Sequence, residues 1–359
     1  MSAHRPPHLA SLEELDRFDM VIDVRSPAEY AQDHVPGAIN LPVLDDAQRA
    51  QVGTIYAQSS PFAARKLGAA LVARNIAGHL EQSLADRPRT WKPLVYCWRG
   101  GQRSGAMTLV LNQVGWAARQ LEGGYRAYRR QVLADLSTLP GRLCFVVLHG
   151  PTGSGKSALL EALGATGEQV LHLEELARHR GSVLGGHGAG EDQPGQKAFE
   201  SLVWDGLRRC DPARPVYVES ESRRIGRLGI PPALFDALID ARCIRVAATL
   251  GAREAHLLER YADVYGDRGE LLRRLEYFVP LYGHKVVGQW RAWVGEGNFG
   301  ALARAMVQTH YDPAYLRGGD ALYRRARDAK VLELDSLGAD ALSRAVEQIR
   351  RLTGPADAQ

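Results

Sequence analysis

Two short segments of this chain carry residues whose types and spacing suit chemistry. The first is Cys-Trp-Arg-Gly-Gly-Gln-Arg-Ser, residues 97–104, which lies between an apolar run and a helical pattern. The backbone N–H groups of a glycine-rich loop and the N-terminus of a helix stabilise negative charge, and Arg99 and Arg103 add positive charge. We therefore expect Cys97 to have a lowered pKa, to act as a nucleophile and to bind a tetrahedral anion against its sulfur.

The second segment is a phosphate-binding loop. Residues 150–157, Gly-Pro-Thr-Gly-Ser-Gly-Lys-Ser, fit the pattern G-x-x-x-x-G-K-S and lie between a predicted strand, CFVVLH, and a predicted helix. Its N–H groups would surround a diphosphate, Lys156 would reach the terminal phosphates, and the Ser157 hydroxyl suits Mg²⁺. The diphosphate-binding residues predicted from this motif are Gly150, Thr152, Gly153, Ser154, Gly155, Lys156 and Ser157.

Two glutamates follow another apolar run. Glu219 and Glu221 belong to the segment PVYVESES, residues 215–222, where the acid of a Walker-B motif would lie. Either carboxylate would hold Mg²⁺ through water or activate a nucleophile. The alternative is a structural role, as a helix cap or in a salt bridge to Arg223 and Arg224.

Both loops need the same support, which is a strand that ends at the loop and a helix that begins there. This succession is typical of parallel α/β sheets, whose functional residues lie at the carboxyl ends of strands. The chain has 359 residues, of which 45% are hydrophobic and 24% charged, and its length suits about two domains. We predict an N-terminal α/β domain over 1–138 and a C-terminal α/β domain over 140–359, with the boundary at Pro140-Gly141.

Several further elements are predicted within the C-terminal domain. Apolar runs at 243–250 and 331–336 predict strands, and the segment 252–310 predicts a helical insertion. The glycine-rich segment 181–196 predicts a mobile binding loop. The side chain of Asp335 or Ser336 is expected to cap the last helix.

Composition excludes several classes of protein. The net charge of +4 is too mild to indicate a nucleic-acid binder by itself. The four cysteines are scattered with no C-x-x-C pair, so neither a zinc site nor a disulfide framework is expected. The N-terminus lacks the apolar region of a signal peptide, and no apolar run is long enough to span a membrane. We expect a cytoplasmic protein without a membrane partner.

Residues 18–43, FDMVIDVRSPAEYAQDHVPGAINLPV, resemble the rhodanese-like sulfurtransferase family. In that family the loop cysteine carries a persulfide, so the resemblance implies a rhodanese-like fold for the first third of the chain and a sulfur-carrying role for Cys97. It also implies structural rather than catalytic roles for four polar residues in this stretch. These are Asp23, Arg25, Glu29 and His34.

The cysteine loop departs from many small rhodaneses in length. The spacing from Cys97 to Arg103 is C-x5-R, which is one residue longer and is also the spacing of cysteine-dependent phosphatases. A longer loop makes a larger anion pocket. Two reactions therefore stay open at Cys97, which are chalcogen transfer from a substituted phosphate and hydrolysis of a phosphate ester.

Over nearly its full length the chain resembles the tRNA 2-selenouridine synthases. The segments that carry the resemblance are 66–75, 96–104, 121–130, 150–157 and 218–226. The resemblance implies a transferase that replaces the sulfur of wobble-position 2-thiouridine in tRNA with selenium from selenophosphate. It also implies an S-geranylated intermediate made from geranyl diphosphate, which suits a P-loop that needs no γ-phosphate.

The resemblance also assigns substrates and partners to the two loops. Selenophosphate would lie beside the catalytic Cys97, in the loop formed by Trp98, Arg99, Gly100, Gly101, Gln102 and Arg103. No tightly bound cofactor is implied, although Mg²⁺ suits the P-loop. The partners would be tRNA with 2-thiouridine at the wobble position, selenophosphate and its synthetase. The alternative is a P-loop kinase or NTPase with a regulatory rhodanese-like or phosphatase-like module.

Clusters of arginines are candidates for a tRNA-facing surface. Three of them share a predicted helix with Tyr125 and Tyr128, and two more follow the VESES segment. Arginines contact phosphates and aromatic rings stack on bases, but a solvated helix face has the same composition. The candidate RNA-contacting residues are Arg126, Arg129, Arg130, Arg223 and Arg224.

Overall fold

The computed structural model describes residues 8–181, 193–315 and 322–354. The chain forms two compact units that divide between Asp135 and Leu136. Each unit is built around its own five-stranded sheet. The division lies inside a helix, a few residues before Pro140-Gly141.

The N-terminal unit contains five short strands and five α-helices among its described residues. The strands are β1 (Leu9–Ala10), β2 (Met20–Asp23), β3 (Ile39–Asn40), β4 (Pro93–Tyr96) and β5 (Arg119–Leu121). The helices are α1 (Pro27–Gln32), α2 (Asp46–Gln58), α3 (Pro61–Glu81), α4 (Gln102–Val114) and α5 (Gly124–Thr138), the last of which continues past the division.

The sheet of this unit has the strand order β1-β5-β4-β2-β3, and every neighbouring pair is parallel. The central strand β4 is buried along its whole length. Because Cys97 directly follows β4, the cysteine loop begins at the carboxyl edge in the middle of the sheet, where parallel sheets place functional loops.

A buried ion pair fixes the loops around this edge. The guanidinium of Arg25 donates two parallel hydrogen bonds to the Asp23 carboxylate and a third, of 2.6 Å, to the carbonyl of Asp33. The Asn40 side chain donates to the carbonyls of Asp23 and Arg25. Because a buried charge needs a partner and satisfied hydrogen bonds, Asp23 and Arg25 have the structural roles that the resemblance implied.

The C-terminal unit contains more elements. The strands are β6 (Cys144–His149), β7 (Gln169–Leu171), β8 (Pro215–Glu219), β9 (Arg224–Ile225), β10 (Leu228–Gly229), β11 (Arg242–Ala248) and β12 (Lys330–Leu334). The helices are α6 (Lys156–Ala165), α7 (Leu173–Leu176), α8 (Gln196–Arg208), α9 (Pro232–Ile239), α10 (Leu250–Arg260), α11 (Ala262–Gly266), α12 (Arg268–Leu275), α13 (Val279–Glu296), α14 (Phe299–Met306) and α15 (Ala339–Thr353).

The main sheet of this unit has the order β12-β11-β6-β8-β7 and is also entirely parallel. The predicted fold class, two α/β domains with parallel sheets, is therefore confirmed. In the register of β6 and β8, Leu148 lies opposite Glu219. The P-loop after β6 and the glutamates after β8 consequently emerge side by side. The short strands β9 and β10 form a separate antiparallel pair.

The segment predicted as a helical insertion forms helices α10 to α14, which share a core of their own. Phe278 and Trp290 are buried in it, with ring centroids 5.7 Å apart. Aromatic residues at helical spacing serve here as core, which is their more frequent role.

The predicted cap of the last helix is wrong. The N-cap residue of α15 is Gly338, and the Ser336 hydroxyl accepts a hydrogen bond from the Gly338 N–H at 3.2 Å. Ser336 lies two residues before the cap, so its side chain closes a local turn instead of capping the helix.

Two other expectations concern the predicted mobile loop and the absence of a membrane-spanning segment. The mobile loop predicted over 181–196 falls mainly on residues 182–192, which lie outside the described part of the chain. Among the helices of the described ranges, none is both long and apolar enough to cross a bilayer.

Candidate functional site

Cys97 lies at the end of β4 with its sulfur surrounded by hydrogen-bond donors. The Gly101 N–H donates to Cys97 Sγ at 3.3 Å, and the Ser104 hydroxyl donates to it at 3.1 Å. The Gln120 side chain in turn donates to Ser104 Oγ at 3.0 Å. Cys97 as a residue is 3% exposed, so these contacts form in a site that is largely closed to water.

The pKa of Cys97 reflects two opposing effects. Burial raises the pKa of the thiol, but hydrogen bonds from the Ser104 hydroxyl and from the backbone N–H groups of Ser104, Gly101 and Arg99 outweigh it. The net pKa lies below the ordinary value, as expected for a nucleophile at a helix N-terminus. The donors that lower it are neutral. The sequence had indicated the backbone N–H groups together with the arginine side chains, but it had not indicated the Ser104 hydroxyl.

The arginines of the loop have other contacts. Arg103 pairs with Glu29 at 2.9 Å. Arg99 and Gln102 are exposed, and Arg99 acts on the sulfur through its backbone N–H. Trp98 is 37% exposed and stacks on Tyr125, with ring centroids 5.2 Å apart.

Two glycines let the cysteine loop approach the following segment closely. Gly100 has φ +64°, and a Cβ there would lie 2.8 Å from the Leu121 carbonyl. Gly124 has φ +59°, and a Cβ there would lie 2.3 Å from the Cys97 carbonyl. Gly124 therefore supports the loop, a role that spacing from Cys97 alone could not reveal.

The P-loop opens into a cavity of about 460 Å³ within the C-terminal unit. The predicted diphosphate-binding residues that line it are Gly150, Thr152, Gly153, Gly155, Lys156 and Ser157. Ser154 is buried. Apolar and aromatic side chains form another part of the wall, namely Leu257, Tyr261, Ala314, Tyr315, Leu322 and Tyr323. The cavity thus combines phosphate-binding groups with apolar and aromatic side chains.

Lys156 and Ser157 are held by neighbouring groups. The Lys156 ammonium donates to the carbonyls of Gly150 at 2.7 Å and Pro151 at 3.4 Å. The Ser157 hydroxyl donates to Glu174 Oε2 at 3.1 Å. Glu174 is a cavity-lining residue that the sequence did not single out, because the two glutamates of the short helix α7 belong to no motif.

The two predicted glutamates are both buried, and they differ in their contacts. Glu219 Oε1 accepts the Glu174 N–H at 2.7 Å, so this carboxyl caps the first turn of α7. Glu221 lines the cavity, and its backbone N–H and carbonyl both bond to the Tyr323 hydroxyl at 2.7 Å. Of the two predicted structural alternatives, the helix cap is found at Glu219, whereas salt bridges to Arg223 and Arg224 are absent among the described residues.

Burial and mutual repulsion control the ionisation of these glutamates. Burial, with the nearby charge of Glu174, raises the pKa of Glu219 to about 8. The same causes raise the pKa of Glu221. The Lys156 ammonium opposes both shifts. Positive charge beside these carboxyls reduces their mutual repulsion. Binding of a cation near them would therefore be favoured.

Arg253 on α10 is a second residue that the sequence did not single out. Its guanidinium donates to the Thr152 carbonyl of the P-loop at 2.8 and 3.1 Å, and it pairs with Asp312 at 2.6 Å. The arginine side chain is nearly buried. Helix α10 of the helical insertion therefore holds the P-loop in place through this arginine, in addition to the support that the sheet gives.

Some of the oxygen-bearing residues that line the cavity fit Mg²⁺. Ser157, Glu174 and Glu221 all offer oxygen, which this ion prefers. Within the described ranges, no group of three or more His, Cys, Asp or Glu side chains is arranged to hold a metal. Mg²⁺ is usually bound through one or two carboxylates together with substrate phosphates, so these residues suit an ion that arrives with a diphosphate.

The candidate RNA-contacting arginines lie in two different units. Arg126 and Arg130 are exposed on α5, whereas Arg129 lies 4.0 Å from Asp33. Tyr125 and Tyr128 on the same helix are buried, so the predicted stacking of bases on these rings is wrong. The i, i+3 spacing places both tyrosines on the face that packs inward.

The second pair of candidates lies beyond β8. Arg223 and Arg224 are both exposed, and the Arg223 guanidinium lies 4.6 Å from the centre of the Phe235 ring. The structure therefore leaves four of the five candidate arginines on the surface, and their contact with RNA stays a prediction.

Comparisons with known proteins address the chain as a whole. Residues 143–272 match the family model described as the tRNA 2-selenouridine synthase AAA domain, and residues 8–131 match the Rhodanese-like domain. The tRNA 2-selenouridine synthase of Verminephrobacter eiseniae is 38% identical over 352 residues, which are 87% of this chain and 91% of that protein. The chain belongs to the tRNA 2-selenouridine synthase family.

Two further members of this family show how much of the chain is matched. The tRNA 2-selenouridine synthase of Aeromonas salmonicida is 32% identical over 325 residues, covering 82% of this chain and 86% of that protein. The Nitrosomonas europaea protein of the same name is 36% identical over 245 residues. That alignment covers 67% of this chain and 63%, less than two thirds, of the relative.

Proposed function

We propose that this chain replaces the sulfur of wobble-position 2-thiouridine in tRNA with selenium, through an S-geranylated intermediate. The relatives carry the name of the overall conversion. The observation that supports the intermediate is the cavity at the P-loop, whose lining includes both phosphate-binding groups and apolar and aromatic side chains. Geranyl diphosphate has the same division into a charged head and an apolar chain.

The P-loop binds the diphosphate of the prenyl donor in this proposal. Its backbone N–H groups and the Lys156 ammonium, which exchanges its carbonyl partners for phosphate oxygens, stabilise the leaving diphosphate. Mg²⁺ beside Ser157 supplies additional positive charge when it is bound. Water is excluded from the geranyl chain by apolar and aromatic side chains of the cavity, namely Leu257, Leu322 and Tyr323.

The first step transfers the geranyl group. The sulfur at C2 of the uridine attacks the allylic carbon of geranyl diphosphate, a C–S bond forms, and the C–O bond breaks. Diphosphate leaves with the electron pair, and N3 of the uridine releases its proton to solvent, which gives neutral S-geranyl-2-thiouridine. The residues at the P-loop act on the charge that develops on this leaving group, which is where stabilisation accelerates the reaction.

The second step brings in selenium. The loop over 97–103 binds selenophosphate, and its selenium forms a bond to C2 of the uridine while the C2–S bond breaks and geranylthiolate leaves. Water then cleaves the P–Se bond, which releases phosphate and leaves 2-selenouridine. Cys97, whose pKa is lowered by the loop's donors, assists delivery of the selenium.

Variants of each loop test whether the P-loop serves geranyl transfer and the cysteine loop serves selenium delivery. With 2-thiouridine tRNA, geranyl diphosphate and selenophosphate, Lys156→Ala should yield no geranylated nucleoside. Cys97→Ser should accumulate geranylated tRNA without selenium, whereas Cys144→Ser, at an exposed cysteine, should behave as the unaltered chain. Normal selenation by Cys97→Ser would refute the role of Cys97. Rapid ATP hydrolysis without tRNA would instead favour the kinase or NTPase alternative.

A further inference from the structure

The hydrogen bond between Ser157 and Glu174 fixes the direction of a hydroxyl at the diphosphate site. Ser157 Oγ donates its hydrogen to Glu174 Oε2 at 3.1 Å. A hydroxyl that holds a cation must present a lone pair to it, so its hydrogen must go to another acceptor. Glu174 is that acceptor, and it leaves the lone pairs of Ser157 free for a ligand in the cavity.

Glu174 is itself held on several sides. Its backbone N–H donates to the buried Glu219 carboxyl at 2.7 Å. Gly181 packs directly against its side chain, because a Cβ at Gly181 would lie 2.5 Å from Glu174 Oε1 and 3.1 Å from Glu221 Oε1. A carboxylate fixed in this way orients its partner at little further entropic cost.

We propose that Glu174 is a positioning residue of the diphosphate site, which accepts the Ser157 hydrogen so that Ser157 Oγ can receive the divalent cation that accompanies the diphosphate. The inference rests on the proposed function only in taking the P-loop as a diphosphate site. The network runs from Glu219 through Glu174 to Ser157. Since the carboxylate repels a diphosphate that lacks a cation, Glu174 should support binding only when Mg²⁺ is present.

Calorimetric titration of the full chain with inorganic pyrophosphate tests this inference. Glu174→Ala should weaken binding about tenfold in Mg²⁺, the effect expected for loss of one hydrogen bond to a charged group. In EDTA it should bind no more weakly than the unaltered chain. The double variant Glu174→Ala/Ser157→Ala should be no weaker than Ser157→Ala alone, because the two residues act through one contact.

Matched variants separate positioning from folding. Glu174→Gln keeps an oxygen that can accept the Ser157 hydrogen and should restore most of the affinity in Mg²⁺. Glu175→Ala, at the exposed neighbouring position, should leave both titrations unchanged. If Glu174→Ala is unstable, Glu174→Leu keeps the bulk of the side chain but cannot accept the Ser157 hydrogen, so it must show the same Mg²⁺-specific loss.

Three results would overturn the inference. They are equal losses with and without Mg²⁺ in Glu174→Ala, additive losses in the double variant, and unchanged Mg²⁺ dependence in Ser157→Ala. No tRNA or prenyl donor enters these titrations. A chain that passes them but geranylates no tRNA would retain this inference and lose the proposed function.

Discussion

Ser104 donates a hydrogen bond to Cys97 Sγ over 3.1 Å, from the first turn of the helix that follows the cysteine loop. Gln120 donates to the same Ser104 oxygen from strand β5. The donor that most strongly favours the Cys97 thiolate is therefore a neutral hydroxyl fixed by a neighbouring strand. This arrangement makes the reactivity of Cys97 sensitive to residues outside its loop.

Ser104→Ala should raise the pKa of Cys97, because it removes the largest of the effects that lower it. A hydrogen bond to a charged group contributes about 1.5–3 kcal/mol, so alkylation of Cys97 by iodoacetamide at pH 7 should slow roughly tenfold or more. Peptide mass spectrometry across a pH series measures this directly. Cys243, whose pKa burial raises to about 11, is an internal reference that should react only at much higher pH. An unchanged pH midpoint for Cys97 would contradict the assignment.

Gly124→Ala should disrupt the cysteine loop. The added Cβ would lie 2.3 Å from the Cys97 carbonyl at a residue with φ +59°. We expect a loss of about 3 kcal/mol in the stability of the N-terminal unit. Gly78→Ala, in the last turn of α3 with open space around it, should be neutral or stabilising by up to about 1 kcal/mol. Calorimetric unfolding measures the difference in stability between the two variants. Equal transition temperatures would contradict the role of Gly124.

Arg253→Ala should loosen the P-loop, since it breaks the contact to the Thr152 carbonyl and the ion pair with Asp312. Breaking a nearly buried ion pair costs about 3 kcal/mol, and pyrophosphate should bind more weakly. Arg304→Ala breaks an exposed pair with Glu254 and should cost less than about 1 kcal/mol. Denaturant unfolding and pyrophosphate titration of the two variants check this difference. Comparable losses in both would refute the role of Arg253.

Stability at the P-loop should depend on pH through Glu219. Its pKa is raised from an ordinary 4.5 to about 8, so the unfolded chain releases this proton at lower pH than the folded chain. The stabilisation is complete below about pH 4.5 and is lost as the pH rises toward 8. Glu219→Gln should flatten this fall when thermal unfolding is followed in EDTA from pH 5 to 8. If stability fell with rising pH as steeply as in the unaltered chain, Glu219 would not be the cause of the fall.

Local patterns were sufficient to predict much of this architecture. Each functional loop follows an apolar strand and begins a helix, and that succession alone indicated two parallel sheets. The sequence resemblance added which family the chain belongs to. The strand β7, only three residues long, offered no such pattern and was not predicted.

The parts that were missed depend on contacts between distant segments. Glu174 and Arg253 meet the P-loop from short or separate helices, and no sequence spacing links them to it. Tyr125 was assigned to a surface because it lies among arginines, yet its ring packs under the Arg25 guanidinium, 3.9 Å from the ring centre. Composition gives the character of a helix but does not determine which face turns inward.

Nucleoside mass spectrometry of 2-thiouridine tRNA tests the central claim most directly. The tRNA is incubated with this protein, geranyl diphosphate and selenophosphate, and each small molecule is omitted in turn. We predict S-geranyl-2-thiouridine with geranyl diphosphate alone, and its conversion to 2-selenouridine when selenophosphate is added. An unchanged tRNA nucleoside under every condition, or 2-selenouridine formed at full rate without geranyl diphosphate, would contradict the account.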